Sequence, residues 1–254
     1  MKTAIVILAT ALCAVSAFAS DGTLSASPAV VMLRGTPGQG TTQTLTLVNS
    51  TSRTLAFAMR AKDVVVQGGR RVFVDAGELP GSVAATAVFS PPEVRVEPGA
   101  RVSVEVTLTI PRQPGARAVV ALFQGTTKLE RGDTSITASV GTLLTFTLSD
   151  DIQAQPSSLT VTPPTPTSNL SVTQQLLNSG SEPVFAKGVL AIVNGGGSLV
   201  GKETLPPRRL LPGEQADYRA EYGGELPAGH YRALVTYELQ NNQTLTSSAE
   251  FDVE

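Results

Sequence analysis

His230 and Cys13 are the one histidine and the one cysteine of this 254-residue chain, and they stand far apart in it. A Cys–His nucleophile or a His-bearing metal cluster needs such residues in number and close together, so neither can be assembled. A Ser-His-Asp triad is arithmetically open, but there is no Gly-x-Ser-x-Gly elbow and no strand–helix alternation to carry one. His230, at a turn beside Tyr231, therefore reads as a structural or surface residue. Asp63, Asp75, Glu78, Asp150 and Asp151 are the carboxylates that could hold calcium. They lack Asp-x-Asp-x-Asp spacing and read as solvated surface groups.

Gly196 to Gly201-Lys202 matches the first part of a phosphate-binding loop. Glu203 follows where Ser or Thr would meet magnesium, and no helix follows to aim its N-terminus at phosphate. Gly195-Gly196-Gly197 reads instead as a hairpin turn. Arg131-Gly132-Asp133 is the integrin-recognition tripeptide, and its ordinary reading is a Gly-Asp turn before a strand. Asn49, Asn169 and Asn242 each open an Asn-x-Ser/Thr triplet. The expectation is a protein that is not an enzyme and holds no cofactor and no metal.

The elements that must position any binding surface are betrayed by a repeat. Pro98-Gly99 and Pro212-Gly213 are 114 residues apart, and so are Gly115 and Gly229. Leu47-Val48-Asn49-Ser50 recurs as Leu176-Leu177-Asn178-Ser179 at an offset of 129, so the first copy carries 15 additional residues between these landmarks. Fixed offsets across a strand and a turn imply two copies of one folding unit. Val102, Val104, Val106, Leu108 and Ile110 alternate with polar residues, the period of a strand with one buried face. The second copy answers with Ala216, Tyr218, Ala220 and Tyr222.

Other strands fit 24–33, 42–48, 55–61, 64–66, 72–74, 118–123, 135–140 and 143–148. In the second copy they fit 159–162, 170–177, 185–193, 198–205, 231–239 and 247–253. About seven short strands per unit, divided by turn residues, predict two tandem immunoglobulin-like β-sandwich domains, all-β in class. Gly229-His230-Tyr231 fits the tyrosine corner of that fold, and Arg117 takes the Tyr position in the first copy. The additional residues fall around 62–88 and include a hairpin tip at Gln67-Gly68-Gly69-Arg70. The domain boundary falls near 149–156, giving domains at 20–150 and 151–254, with the Pro/Thr-rich 163–168 a stiff connection just inside the second.

Met1-Lys2, the apolar 5–12 and Ala17-Phe18-Ala19 fit a cleaved signal peptide over residues 1–19. The mature chain would have 235 residues, no cysteine and a formal charge of −3. Disulfides are then excluded, and each core must hold its domain unaided. That charge, with aromatics scarce and Trp absent, gives no footing for nucleic acid or an anionic membrane. No segment is apolar for long enough to insert in a membrane.

The first domain resembles the N-terminal domain of the periplasmic chaperones that assemble pili by the chaperone–usher route. The likeness lies in the 24–33 strand, Thr44–Asn49, Ser90-Pro91-Pro92-Glu93-Val94-Arg95-Val96-Glu97-Pro98-Gly99-Ala100, and the strands at 102–110 and 136–140. It covers about residues 23–148. In that family the late strand lends apolar side chains to an incomplete pilin, so the resemblance implies Ile136, Ala138 and Val140 as donor residues. The family's Arg and Lys anchor for the client's terminal carboxylate has no counterpart here. Ser25 to Ala29 and Thr142-Leu143 stand in its place. The second domain resembles general bacterial immunoglobulin- or fibronectin-like modules.

The resulting expectation is an exported, non-enzymatic protein, periplasmic, that binds pilin-like or secreted subunits by edge-strand pairing as a divergent chaperone or assembly factor. The alternative is a cell-surface or secreted adhesion module that binds through Arg131-Gly132-Asp133 or the Gln67–Arg71 hairpin.

Overall fold

A computed structural model describes residues 23–126, 129–131 and 134–254, with backbone alone for 129–131 and 134–136. The expected leader at 1–19 lies outside the described residues. In chain order the strands of the first unit are β1 (Leu24–Ser27), β2 (Val30–Arg34), β3 (Gly40–Asn49), β4 (Leu55–Gln67), β5 (Arg70–Asp75), β6 (Val88–Ser90), β7 (Glu93–Val96), β8 (Arg101–Thr109), β9 (Ala118–Gly125), β10 (Leu129–Arg131), β11 (Thr134–Ile136) and β12 (Ser139–Thr147). Those of the second are β13 (Ala154–Pro156), β14 (Thr160–Thr162), β15 (Leu170–Asn178), β16 (Val184–Asn194), β17 (Leu199–Leu210), β18 (Gln215–Tyr222), β19 (Gly229–Leu239) and β20 (Thr244–Val253).

One sheet of the first unit runs β1-β3-β8-β6; the other runs β2-β12-β9-β4-β5, with β7 also paired to β4. The second unit packs β17-β16-β19-β20 against β13-β15-β14 with β18 on β15. The fold is all-β: two immunoglobulin-like sandwiches in tandem. Alternation decides each inner face. Val104, Val106 and Leu108 are fully buried, while Ser103, Glu105 and Thr107 between them are exposed. Phe57, Phe123, Phe146 and Leu45 fill one core, and Leu170, Leu190, Ile192, Tyr218 and Tyr237 fill the other. Leu148 packs on the first core and Ile152 belongs to the second.

The structure corrects several details. Pro28 breaks the opening strand, and the chain leaves β3's sheet to join β12 in the other. Strands 55–61 and 64–66 form one element, β4, of 13 residues. The late strand breaks at Thr137-Ala138 instead of at Gly141, so β12 runs unbroken through the glycine. Residues 163–168 form the turn from β14 to β15, closed by a Thr165–Ser168 bridge, and connect no domains.

The two repeat landmarks meet in space. Asn49 is fully buried; its Nδ2 donates to the carbonyls of Arg53 and Val96, and its own carbonyl accepts from Gly99 N. Asn178, equally buried, does the same with Glu182, Leu210 and Gly213. Gly99 and Gly213 adopt φ of 72° and 76°, where a Cβ would be strained, which is why each turn needs its glycine. Burial of Asn49 also rules out its triplet as a glycan acceptor in the folded protein.

All four tyrosines lie in the second unit. Tyr218 and Tyr237 pack edge to face with ring centroids 4.9 Å apart. Burial raises the Tyr218 hydroxyl to about 12, and burial followed by Tyr218 itself raises Tyr237 further. A folded-state pKa above the unfolded value of 10 means the unfolded chain loses this proton first. The stability these hydroxyls contribute is complete below pH 10 and declines as pH rises towards 12. Spectrophotometric titration is expected to show these two phenolates only in the course of unfolding of the second unit.

Candidate functional site

β12 is bordered unequally. Most of it, Ser139–Thr145, pairs antiparallel with β9, whereas the parallel partner β2 begins only opposite Leu143. Thr142 Oγ1 closes the end of that pairing by donating to Pro28 O at 2.6 Å. Among the described residues Ser139–Gly141 therefore has a strand neighbour on one side. β1 passes close to β12 but gives its main-chain pairing to β3 in the facing sheet.

The expected donor residues divide around the strand break. Val140 is half-buried, opposite Phe123 in register, and packs against the rim of the first core. Ala138 is also half-buried and precedes β12. A Cβ on Gly125 would collide with the Ala138 carbonyl, so glycine there lets the break lie close against β9. Ile136 ends the small β10–β11 hairpin, paired with Leu129; its side chain lies outside the described residues. Of the three, Val140 alone belongs to β12 itself. Gly132 and Asp133 of the Arg-Gly-Asp tripeptide lie outside the described residues as well.

Asp63 is corrected from a surface carboxylate to a buried one. Oδ1 accepts from Val83 N and Ala84 N, each at 3.1 Å, and Oδ2 accepts from Ser82 Oγ at 2.5 Å. It thus caps the short 3-10 turn Ala84–Thr86 in the manner of an N-cap side chain. Among the described residues no group of three or more His, Cys, Asp or Glu is placed to hold a metal. The Gly195–Gly197 segment is a hairpin turn, closed by Gly197 N to Asn194 O at 2.8 Å. His230 is an exposed residue of β19, its Nδ1 2.9 Å from Asp252 Oδ1.

The junction between the sandwiches was not legible in sequence. Tyr231 makes its corner, donating to Pro227 O at 2.6 Å. At the equivalent place in the first copy Arg117 reaches out of its own unit, its Nε 3.2 Å from Glu182 Oε2. Glu182, only 1% exposed in its side chain, also accepts from Leu148 N at 3.1 Å and Ser149 Oγ at 2.9 Å. Leu211, in the second Pro-Gly turn, packs with Val64, Ala118 and Val120 on the outer face of β4 and β9. Arg71, at the base of the Gln67–Arg70 hairpin, pairs with Glu214 at 2.8 Å and donates to Arg209 O at 2.6 Å. That hairpin base is committed to the second unit.

No protein-family model matches the sequence, and no curated protein matches it. Among solved structures the chain is similar to the class 5 fimbriae chaperone CfaA, with 15% identity, 89% of this chain and 98% of that one covered, and a TM-score of 0.46. It is similar to the CupB2 chaperone of Pseudomonas aeruginosa at 13% identity, 91% and 100% coverage and a TM-score of 0.40. The SafB chaperone, solved with the SafA pilin of Salmonella enterica, belongs to a third such structure: 12% identity, 91% and 96% coverage, TM-score 0.40. The fold class rests on the chain's own sheets, which make it an all-β protein of immunoglobulin-like sandwiches.

Proposed function

We propose that this protein binds exported polypeptide subunits by strand pairing at the open margin of β12, as a divergent chaperone or assembly factor of the periplasm. The observation that carries this reading is the unequal bordering of β12, whose Ser139–Gly141 stretch has, among the described residues, a strand neighbour in β9 alone. A strand with an unpaired side offers main-chain donors and acceptors to an incoming strand. Val140, on the core-facing side and only half-buried, supplies apolar surface beside those groups. Ile136 and Ala138 extend the same alternation beyond the strand break. The reading includes a leader at 1–19, cleaved on export, and a domain division at 150/151.

Capture of envelope polypeptides on the tagged mature chain tests it. Subunits with an incomplete strand complement are expected to co-purify, and an Ile136→Asp, Val140→Asp double variant is expected to lose at least about tenfold of that capture. Because Val140 touches its own core, a Val140→Ala variant with an unchanged circular-dichroism spectrum is measured alongside and should weaken capture in the same direction. Undiminished capture by both variants would count against strand pairing, and so would recovery of no exported subunit by the wild type.

A further inference from the structure

β20 is a ten-residue outer strand of the second sandwich, and among the described residues it pairs with β19 alone. Its register runs unbroken from Thr244 opposite Glu238 to Val253 opposite Gly229. A bare strand margin is ordinarily blunted by brevity, proline, lysine or a bulge. β17, on the other side of the same sheet, has two register shifts against β16 and carries Pro206-Pro207. Its Val200 carbonyl is also taken, by the Tyr222 hydroxyl at 2.9 Å. The outer strands β1 and β6 of the first unit are only four and three residues long. β20 has none of these devices: it holds no proline, no lysine or arginine, and no bulge.

Main-chain alternation decides which residues of β20 face outward. Leu239 N donates to Gln243 O at the hairpin end, and such bonded positions recur at every second residue of an antiparallel pair. Leu245, Ser247, Ala249, Phe251 and Val253 therefore exchange their bonds with β19. Thr244, Thr246, Ser248, Glu250 and Asp252 turn their N–H and C=O groups to the open side. The side chains of these five are exposed, whereas Phe251 is buried and Leu245 and Val253 pack on the second core. A two-fold axis perpendicular to the sheet keeps each face on its own side, so an outward residue must meet another outward residue. Centred on Ser248, the axis uses the whole strand and opposes Thr246 to Glu250 and Thr244 to Asp252 of the other molecule. Each acid then faces a hydroxyl and none faces an acid, which is the favourable cross-strand arrangement. On the core side Leu245 meets Phe251, and the apolar layer continues across the seam. An axis centred on Glu250 would instead set two carboxylates face to face.

We propose that β20 pairs antiparallel with β20 of a second molecule of this protein, about a two-fold axis at Ser248, so that two four-stranded sheets become one continuous sheet. Each outward N–H of either strand finds a carbonyl on the other. This association lies in the second sandwich; it is independent of strand pairing at β12 and would stand if that reading failed.

Sedimentation of the full mature chain tests it, with an expected rise from monomer to dimer between about 1 and 500 μM. Ser248→Pro should keep the circular-dichroism spectrum, because proline is tolerated where a strand N–H faces solvent, and should stay monomeric over that range. Thr246→Glu sets a second carboxylate against Glu250 and should weaken dimerisation at least about threefold. Thr246→Lys sets a cation there and should tighten it by about threefold. Val140→Ala should dimerise like the wild type, which separates this seam from the β12 margin. A monomer at every concentration, a dimer of folded Ser248→Pro, or equal effects of the two Thr246 changes would each overturn the proposal. So would exchange of the Ser248 N–H that slows with added envelope polypeptide but not with the concentration of this protein, since the occupant would then be a foreign strand.

Discussion

Replacing Asn178 with alanine is expected to destabilise the second sandwich by about 3 kcal/mol, and Asn49→Ala is expected to cost the first a similar amount. Each asparagine is fully buried and ties three stretches of backbone together. Without the Asn178 side chain, the carbonyls of Glu182 and Leu210 and the amide of Gly180 each lose a partner, at about 1–3 kcal/mol for a buried group left unpaired. The two variants should differ in reach. Asn178 holds the backbone of Glu182 and of the Leu211 turn, and both of these touch the first unit. Asn49 holds Arg53 and Val96, which stay within their own sandwich. In a shared transition tyrosine fluorescence should move to lower denaturant in both variants, whereas proteolysis between Ser149 and Pro156 should accelerate in Asn178→Ala alone. Equal midpoints for wild type and Asn178→Ala would show that the buried amide is dispensable.

Glu182→Ala is expected to uncouple the two sandwiches, with a loss of about 3 kcal/mol, at the low end for a broken buried pair because Arg117 keeps some solvent contact. Arg117 would lose its carboxylate, and Leu148 N and Ser149 Oγ would lose their acceptor at the point where the chain passes from one unit to the next. Glu182→Gln keeps an acceptor oxygen and should cost less, about 1–2 kcal/mol. The expected readout is a shared unfolding transition that separates into two, with faster proteolysis between Ser149 and Pro156. A single unshifted transition in Glu182→Ala would assign the coupling to the apolar contact of Leu211 instead.

The duplicated sandwich was legible because its signals are local. Proline and glycine at fixed offsets, an asparagine after an apolar pair and period-two strands can all be read within a few residues. The offsets of 114 and 129 resolved into one network, since Asn49 and Asn178 each hold the turn that the second landmark marks. Gly141 misled: it reads as a strand breaker, yet it stays in the pleat because a Cβ there would meet the Leu122 side chain and Ala121 carbonyl at 2.8 Å. The short β7 went unseen behind two prolines. Asp63 was opaque because its partners, Ser82 to Ala84, come from about twenty residues downstream. The junction was hidden for the same reason. Nothing beside Arg117 or Glu182 in the chain tells that each meets a charge of opposite sign.

The 15 residues that make the copies unequal fall between β5 and β7, and the Arg71 grip belongs to the first copy alone, because the equivalent β16–β17 hairpin of the second has Val200 at that place. The joint is therefore directional: one module clasps and the other is clasped. Exchanging the order of the two halves would bring together surfaces that lack either the clasp or its receptor, so the sandwiches, though alike in plan, are not interchangeable in position.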